Sequence, residues 1–335
     1  MITLKVNTQT EYKIVIADDY GGLAETVKED KICIVSDKKV ALLYLEKVSK
    51  ALFGKQIFSY IVDEGEKSKS FENYKNLLTF LAENDFSRSD ALFALGGGVV
   101  GDLTGFVAST YMRGISYYQV PTSLIGMIDS SVGGKTGIDM PCGKNLVGTF
   151  YQPSGVYVNV SALNTLSDAE TLNGLGEYVK YAYLSDTVCC KNVKNGINEQ
   201  AIAECLKVKI KLVEEDEKDC GSRMLLNLGH TVGHAVETLS GFTLAHGVCV
   251  AKGIAAALKV SKDYYGMSNE KYERLKSLLN EFDFDLTIPF KKEEIISQIV
   301  KDKKYRGGII NFATIFDIGD CRVQKFTLEE LARLL

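Results

Sequence analysis

Over its first half the chain alternates short apolar runs with amphipathic stretches. KICIVSD (31–37) is apolar between charged ends, which predicts a buried strand. In KKVALLYLEKVSKAL (38–52) apolar residues recur at three- and four-residue steps, so a helix is expected. The alternation continues with KQIFSYIV (55–62) as a strand and SFENYKNLLTFLAEN (70–84) as a helix. ALFAL (91–95), running into glycines, and ISYYQVP (115–121) supply two further strands. Strands spaced by helical patterns predict βαβ units around a parallel sheet. The turn-rich YQPSG (151–155) reads as a boundary. Beyond it VYVNV (156–160) is strand-like, and Ser167 with Glu170 three residues on predicts a capping box opening a helix. From there the pattern is helical almost throughout. The expected organisation is an α/β, Rossmann-like domain over 1–155 and a mostly α-helical domain over 156–335.

Composition narrows the functional classes. The 335 residues are 46% hydrophobic, enough to bury a core in each of two domains. A net charge of −4 argues against a general nucleic-acid surface. No apolar run approaches a membrane span. The N-terminus, MITLKVNTQTEYK, has neither the apolar centre of a signal peptide nor the arginine bias of a transit peptide. A cytoplasmic protein with no membrane partner is therefore expected. The eight cysteines are scattered, with Cys189 and Cys190 adjacent and no C-x-x-C pair, so reduced thiols packed as small hydrophobes are expected.

Candidate chemistry concentrates in one stretch. The only three histidines are His230, His234 and His246, in LNLGHTVGHAVE…LAHG. His230 and His234 are four residues apart and share a face on a helix. Imidazole is the commonest metal ligand and the usual acid–base group near neutral pH. The plainer alternative is a set of satisfied core or capping histidines. Gly96, Gly98 and Gly101 form G-x-G-x-x-G after a strand and ahead of a helix-like VVGDLTGFVAS. In that setting the pattern means a dinucleotide pyrophosphate on a helix N-terminus. The acidic ribose partner expected about 20 residues on is missing, because the next strand carries Tyr117, Tyr118 and Gln119. Gly134-Lys135-Thr136 is not a P-loop, since Asp129 stands where the earlier glycine belongs. Glycines and lysines there still suit anions.

GGGVVGDLTGFVASTYMRGI, QVPTSLIGMIDSSVGGKTGIDMPCGKNLVGTFYQP, GLGEYVKY and LNLGHTVGHAVE together resemble the 3-dehydroquinate synthase family, within the sugar phosphate cyclases. The blocks fall in the family's order and cover nearly the whole chain. The resemblance implies a fold related to glycerol dehydrogenase and the group III alcohol dehydrogenases. It implies NAD and one divalent metal, zinc with cobalt as an alternative, in a lyase of the shikimate pathway that leads to chorismate and the aromatic amino acids. The implied reaction takes 3-deoxy-D-arabino-heptulosonate 7-phosphate to 3-dehydroquinate and phosphate, by transient oxidation, phosphate elimination, reduction and aldol closure. A homodimer is also implied.

By the same matching the metal ligands are Glu177, His230 and His246, with His234 a proton carrier beside them; spacing alone leaves His234 and His246 equal as third ligand. NAD contacts match Asp37, Glu66, Lys69, Gly98, Val99, Gly101, Asp102, Thr122, Ser123, Asn164 and Thr165, with Lys135 and Lys144 at the nicotinamide end. Substrate contacts match Arg113, Asp129, Lys135, Lys144, Asn145, Lys180, Lys209, Arg223, Asn227, Lys303 and Lys304. Several lysines and arginines can hold a phosphate and a carboxylate together; for most lysines of the chain the plain reading is solvated surface. Several positions depart from the family pattern: Ser167 and Ala169 in Thr165-Leu166-Ser167-Asp168-Ala169, where the family has a proline and an arginine, Asp219 in DEKD, and Val248 after His246-Gly247. They bear on the surroundings of the metal and on turnover. Rival readings are a cyclase for a neutral sugar phosphate, a polyol dehydrogenase of the same fold, and an inert relative. Arg223, Asn227, Lys303 and Lys304 favour a substrate bearing a carboxylate.

Overall fold

The computed structural model describes residues 1–188, 190, 193, 196–301 and 308–335. They form two compact units, Met1–Leu166 with Asn198–Ile210, and Ser167–Ile197 with Lys211–Leu335.

The first unit is built on a seven-stranded sheet. Its strands are β1 (Ile2–Asn7), β2 (Glu11–Ala17), β3 (Lys31–Asp37), β4 (Gln56–Val62), β5 (Ala91–Gly96), β6 (Ser116–Pro121) and, beyond a separate hairpin, β9 (Gly155–Asn159). The order is β1-β2-β9-β6-β5-β3-β4, parallel throughout except for the antiparallel β1–β2 pair. The strands and helices read from periodicity stand within a residue or two of their expected places. Helices α1 (Lys38–Ala51), α2 (Phe71–Glu83) and α3 (Gly98–Thr110) complete the crossovers. Successive strand residues point to opposite faces. Cys33 and Val35 of β3 and Leu92 and Ala94 of β5 join Leu77, Leu81, Leu103 and Val107 in one core cluster. Their neighbours Ile32, Ile34 and Phe93 are equally buried on the other face. A sheet covered on both sides is what parallel strands require. Each fully buried leucine contributes about 1.5–3 kcal/mol of transfer free energy.

Three features depart from expectation here. The N-terminal segment, read only for the absence of a leader, is the β1–β2 hairpin, an edge whose outward positions stay polar. The GKTGIDMPCGKN stretch is an antiparallel hairpin, β7 (Lys135–Met140) and β8 (Gly143–Phe150), so Gly134-Lys135-Thr136 leads into a strand and not into the helix of a P-loop. β9 lies past the YQPSG turn yet pairs with β2 and β6, which carries the α/β unit on to Leu166.

The second unit contains α4 (Asp168–Leu184), the end of α5 (Glu199–Glu215), α6 (His230–Leu239), α7 (His246–Tyr265), α8 (Asn269–Lys276), α9 (Lys292–Lys301) and α10 (Leu328–Leu334). It is not helical throughout. β10 (Ile309–Asp317) and β11 (Asp320–Thr327) form an antiparallel hairpin with β10 packed on α7. The run IINFATIF has the alternation of a half-buried strand. Ser167 caps α4 by accepting from Glu170 N at 3.3 Å, but the Glu170 carboxylate accepts from Asn173 instead of turning back. A reciprocal capping box forms at Thr327 and Glu330, ahead of α10. The described cysteines are all unbridged, and Cys189 lies outside the described residues.

Candidate active site

In the second unit one carboxylate and three imidazoles converge. Glu177 on α4 is 2% exposed. Its Oε1 lies 3.1 Å from His246 Nε2 and 3.3 Å from His230 Nε2, and its Oε2 lies 2.7 Å from Lys180 Nζ. His234 follows one turn after His230 on α6, its ring centroid 5.2 Å from that of His230 and 5.6 Å from that of His246. The three histidines bring ring nitrogens within 4.8 Å of one another.

The convergence depends on glycines that let helix backbones touch. Each of the four side chains has a glycine next to it in sequence, and at each glycine a Cβ would strike a neighbouring backbone. At Gly176 it would lie 1.9 Å from Gly247 O, and at Gly247 1.8 Å from Asn173 O. At Gly233 it would lie 2.8 Å from Cys249 O. Gly229 also has φ 80°, a left-handed conformation open to glycine, and a Cβ there would meet Val250 O at 2.6 Å. α4, α6 and α7 therefore cross at backbone contact, with Glu177, His230, His234 and His246 at the crossing. Asn173 secures it, its Oδ1 accepting from Gly247 N at 2.7 Å in the first turn of α7, where backbone donors have no partner within the helix.

Charge in this cluster is strongly biased. Burial alone would raise the Glu177 carboxyl, but Lys180, His230 and His246 outweigh it and hold the group well below the usual carboxylate range. Burial pushes His230 down to about 4 against the pull of Glu177. His246 is desolvated too, but it lies between two carboxylates, Glu177 and Glu237, and is pushed up to about 10. Neutral His230 gives its Nδ1 proton to Leu228 O at 3.1 Å. Its Nε2 lone pair then faces the Glu177 carboxylate at 3.3 Å. Two electron-rich atoms held face to face lack only a cation between them. The donor set, one carboxylate and imidazole nitrogens, suits a divalent metal of the zinc type. The residues present fit such an ion.

A second polar cluster lies in the first unit, around the glycine loop. β5 ends at Gly96 and α3 opens at Gly98, with Gly97 as an N-cap that offers no side chain to the first turn. The N–H groups of that turn, including those of Gly98 and Val99, are suited to an anion. The glycines serve packing as well. A Cβ at Gly101 would lie 2.8 Å from the Gln119 amide, and one at Gly96 the same distance from the Val100 side chain. Gln119 on β6, where an acidic residue was sought, is thus occupied against the helix. The carboxylate at a neighbouring strand end is Asp37 of β3, which caps α1 by accepting from Val40 N at 2.9 Å. Lys69, 4% exposed, reaches Asp102 at 2.7 Å and Glu66 at 3.6 Å. Burial raises both carboxyls, and Lys69 opposes that rise at each. Thr122 is buried with its N–H on Gly96 O, and Ser123 Oγ accepts from Gly126 N. Exposed Asn164 and Thr165 stand at the edge, with Thr165 Oγ1 2.6 Å from the Tyr44 hydroxyl. These groups fit a dinucleotide.

The other expected residues fall as follows. Lys209 on α5 donates to both the backbone carbonyl and the carboxylate of Asp129, within the first unit. Lys144 is half-buried beside Glu66, and Asn145 takes φ 53° early in β8, its N–H on Asp139 Oδ1 at 2.8 Å. Lys135 is exposed at the start of β7. Arg113 is exposed beyond the far end of α3, a 13-residue helix about 20 Å long that opens at the glycine loop. In the second unit Lys180 joins Glu177, and Arg223 and Asn227 lie on a short 3₁₀ turn ahead of α6. Arg223 is 2% exposed and donates to Glu217 O at 2.7 Å. Lys303 and Lys304 lie outside the described residues. Of the departures, Ala169 is exposed, Asp219 holds a left-handed φ of 59°, and Val248 sits in the first turn of α7.

Two residues of consequence were not singled out in the sequence. Asp216 accepts from the N–H groups of Cys220, Gly221 and Arg223 at 3.0, 2.6 and 3.2 Å, shaping the turn that carries Arg223. Glu237 contacts His246; its position seven residues after His230 puts it on the same helix face.

Comparison with known proteins agrees with the resemblance. Residues 59–173 match the family described as 3-dehydroquinate synthase N-terminal, and residues 174–305 the one described as 3-dehydroquinate synthase C-terminal. The 3-dehydroquinate synthase of Clostridium acetobutylicum is 40% identical over 334 residues, covering 96% of this chain and 94% of that protein. Among solved structures, a 2-deoxy-scyllo-inosose synthase complexed with carbaglucose-6-phosphate, NAD+ and Co2+ superposes with TM-score 0.90 at 20% identity, covering 99% of both chains. A 2-epi-5-epi-valiolone synthase from Streptomyces hygroscopicus, with NAD+ and Zn2+ bound, gives TM-score 0.85 at 23% identity over 99% of this chain and 97% of the other. The fold is that of the sugar phosphate cyclases.

Proposed function

The chain belongs to the 3-dehydroquinate synthase family, and on that premise we propose that it is a carbon–oxygen lyase converting 3-deoxy-D-arabino-heptulosonate 7-phosphate to 3-dehydroquinate and phosphate. The observation that carries this reading is the meeting of two imidazole Nε2 atoms on one buried carboxylate oxygen, at 3.1 and 3.3 Å. Glu177, His230 and His246 would hold a divalent cation, zinc or cobalt. The glycine loop, Asp37, Glu66, Lys69, Asp102, Thr122, Ser123, Asn164 and Thr165 would hold NAD. When bound, the cation supplies a Lewis acid and NAD a reversible hydride acceptor, which together permit a transient oxidation without net redox change.

The remaining work belongs to the side chains. Lys180 neutralises Glu177, so this buried carboxylate stays charged and able to act as a ligand. His234, not needed as a ligand in this reading, carries protons at its imidazole as phosphate leaves and the ring closes. Lys135, Lys144, Asn145, Lys209, Arg223 and Asn227 bind and orient the anionic ends of the substrate, while Arg113, exposed beyond the far end of α3, is left out of this set. Asp129 fixes the Lys209 ammonium. In this reading the protein works in the cytoplasm as a homodimer. None of the helices among the described residues is long and apolar enough to cross a membrane.

The test is phosphate release from the heptulosonate phosphate by the purified protein, with and without NAD. Release should need NAD, stop in EDTA and return with zinc or cobalt. NADH should not accumulate, which separates a cyclase from a polyol dehydrogenase acting on glycerol. Undiminished phosphate release in chelator would remove the cation from the reading.

A further inference from the structure

We propose that Glu237 is a positioning residue for the cation site, acting through His246. The inference rests on the cation reading above and adds to it a carboxylate outside the ligand set. Glu237 lies on α6 and is 8% exposed. Its Oε2 is 3.0 Å from His246 Nδ1, while His246 Nε2 is 3.1 Å from Glu177 Oε1. The imidazole is therefore gripped at both nitrogens by carboxylates from two helices, α6 and α4.

Only one of these grips agrees with cation binding. In the neutral ring that a bound cation requires, a histidine that donates its Nδ1 proton to Glu237 presents a lone pair at Nε2, toward Glu177. The other tautomer would put a hydrogen on Nε2 and close the site. A carboxylate on the far nitrogen fixes the ring's rotation and tautomer and raises the basicity of the coordinating nitrogen. Leu228 O does the first of these for His230, but a neutral carbonyl polarises the ring less. The two histidines are thus held by unlike partners, and His246 is the one whose donor strength is tuned by charge. Glu237 itself is held in place: its own backbone carbonyl caps the end of α6, accepting from Ser240 Oγ at 2.7 Å and Phe242 N at 3.0 Å.

The test compares full-length wild type, Glu237→Gln, His246→Ala and the double variant by chelator competition for Co2+ and Zn2+. Glu237→Gln keeps the size and an acceptor but removes the charge. It should weaken cation affinity about 10–100-fold, the range for partners of a coordinating histidine, and shift the visible absorption of the cobalt form. In the His246→Ala background the same change should cost almost nothing further, because its route to the cation is gone. Equal affinity and an unshifted cobalt spectrum in Glu237→Gln would overturn the proposal, even if the variant melts at a lower temperature. Wild type that binds neither ion would instead overturn the cation reading itself, and this inference with it. Ring-nitrogen NMR of the zinc-loaded wild type needs no variant: a proton on Nδ1 of His246 supports the assignment, and a proton on Nε2 refutes it.

Discussion

Replacing Gly176 by alanine is the sharpest test of how the cation site is built. The added Cβ would stand 1.9 Å from Gly247 O and 2.6 Å from Gly247 Cα. Real Cβ atoms essentially never approach a heavy atom closer than 3.0 Å, so α4 and α7 must part by at least about 1.1 Å. Neither obstacle can swing aside, because both are backbone. The separation acts one residue from Glu177 on one helix and one residue from His246 on the other. Metal–ligand distances tolerate roughly ±0.2 Å, so that shift is several times what the site can absorb. Overpacking of this kind costs about 1–3 kcal/mol, and loss of the Asn173–Gly247 hydrogen bond adds about 1 kcal/mol. Together they lower the melting temperature by roughly 4–16 °C for a unit of this size. The assay is calorimetry of the metal-free protein beside cobalt titration, with Gly22→Ala as control, where the new methyl meets the Tyr157 hydroxyl at an ordinary 3.4 Å. An unchanged melting temperature and cobalt affinity in Gly176→Ala would refute the claim that backbone contact sets the site.

Further expectations follow from other contacts. His230→Ala should lose both zinc in metal analysis and phosphate release. Lys209→Met leaves Asp129 without this ammonium in a buried setting; removing one partner of such a pair costs about 3–5 kcal/mol, seen as a lower denaturant midpoint that Asp129→Asn in addition partly restores. For Asp216, burial raises the carboxyl, but the N–H groups of Cys220, Gly221 and Arg223 outweigh it and hold the group below its usual range. A depressed carboxylate contributes stability above its unfolded pKa of about 3.9, lost as pH falls through the folded value. The melting-temperature gap between wild type and Asp216→Ala should therefore be full at pH 6 and narrow below about pH 4; a gap that widens on acidification would contradict this.

Elements that announce themselves by local pattern were legible in the sequence. β3, α1, β4, α2, β5 and β6 each carry an apolar period that their own residues define. What escaped notice depends on partners distant in the chain. β1 is an edge strand with one fully buried position and β7–β8 is rich in glycine and lysine, so neither gives a run of apolar residues, whereas β2 carries the buried run Ile14-Val15-Ile16-Ala17 that went unread. β10 carries an alternating run that the surrounding helices obscured. Among the site residues, the i,i+4 pair His230 and His234 could be placed on one helix face from spacing alone. The approach of Glu177 and His246 could not, since it arises from glycine-mediated contact between helices about 70 residues apart. Glu237 was likewise hidden, because a buried carboxylate seven residues beyond a histidine looks like any other helix-face acid until its partner is known.

Asp129 and the lysine that holds it are separated by 80 residues, with the whole of α4 synthesised between them. On a ribosome adding about 5–20 residues per second, that separation is a wait of about 4–16 s. Once β9 has been made, part-way through that wait, the nascent sheet is complete but lacks its returning helical segment. A chain cut at Leu166 would be arrested in that state, so the first unit should be recovered as a folded fragment only when the segment 198–210 is supplied, as a peptide or by circular permutation.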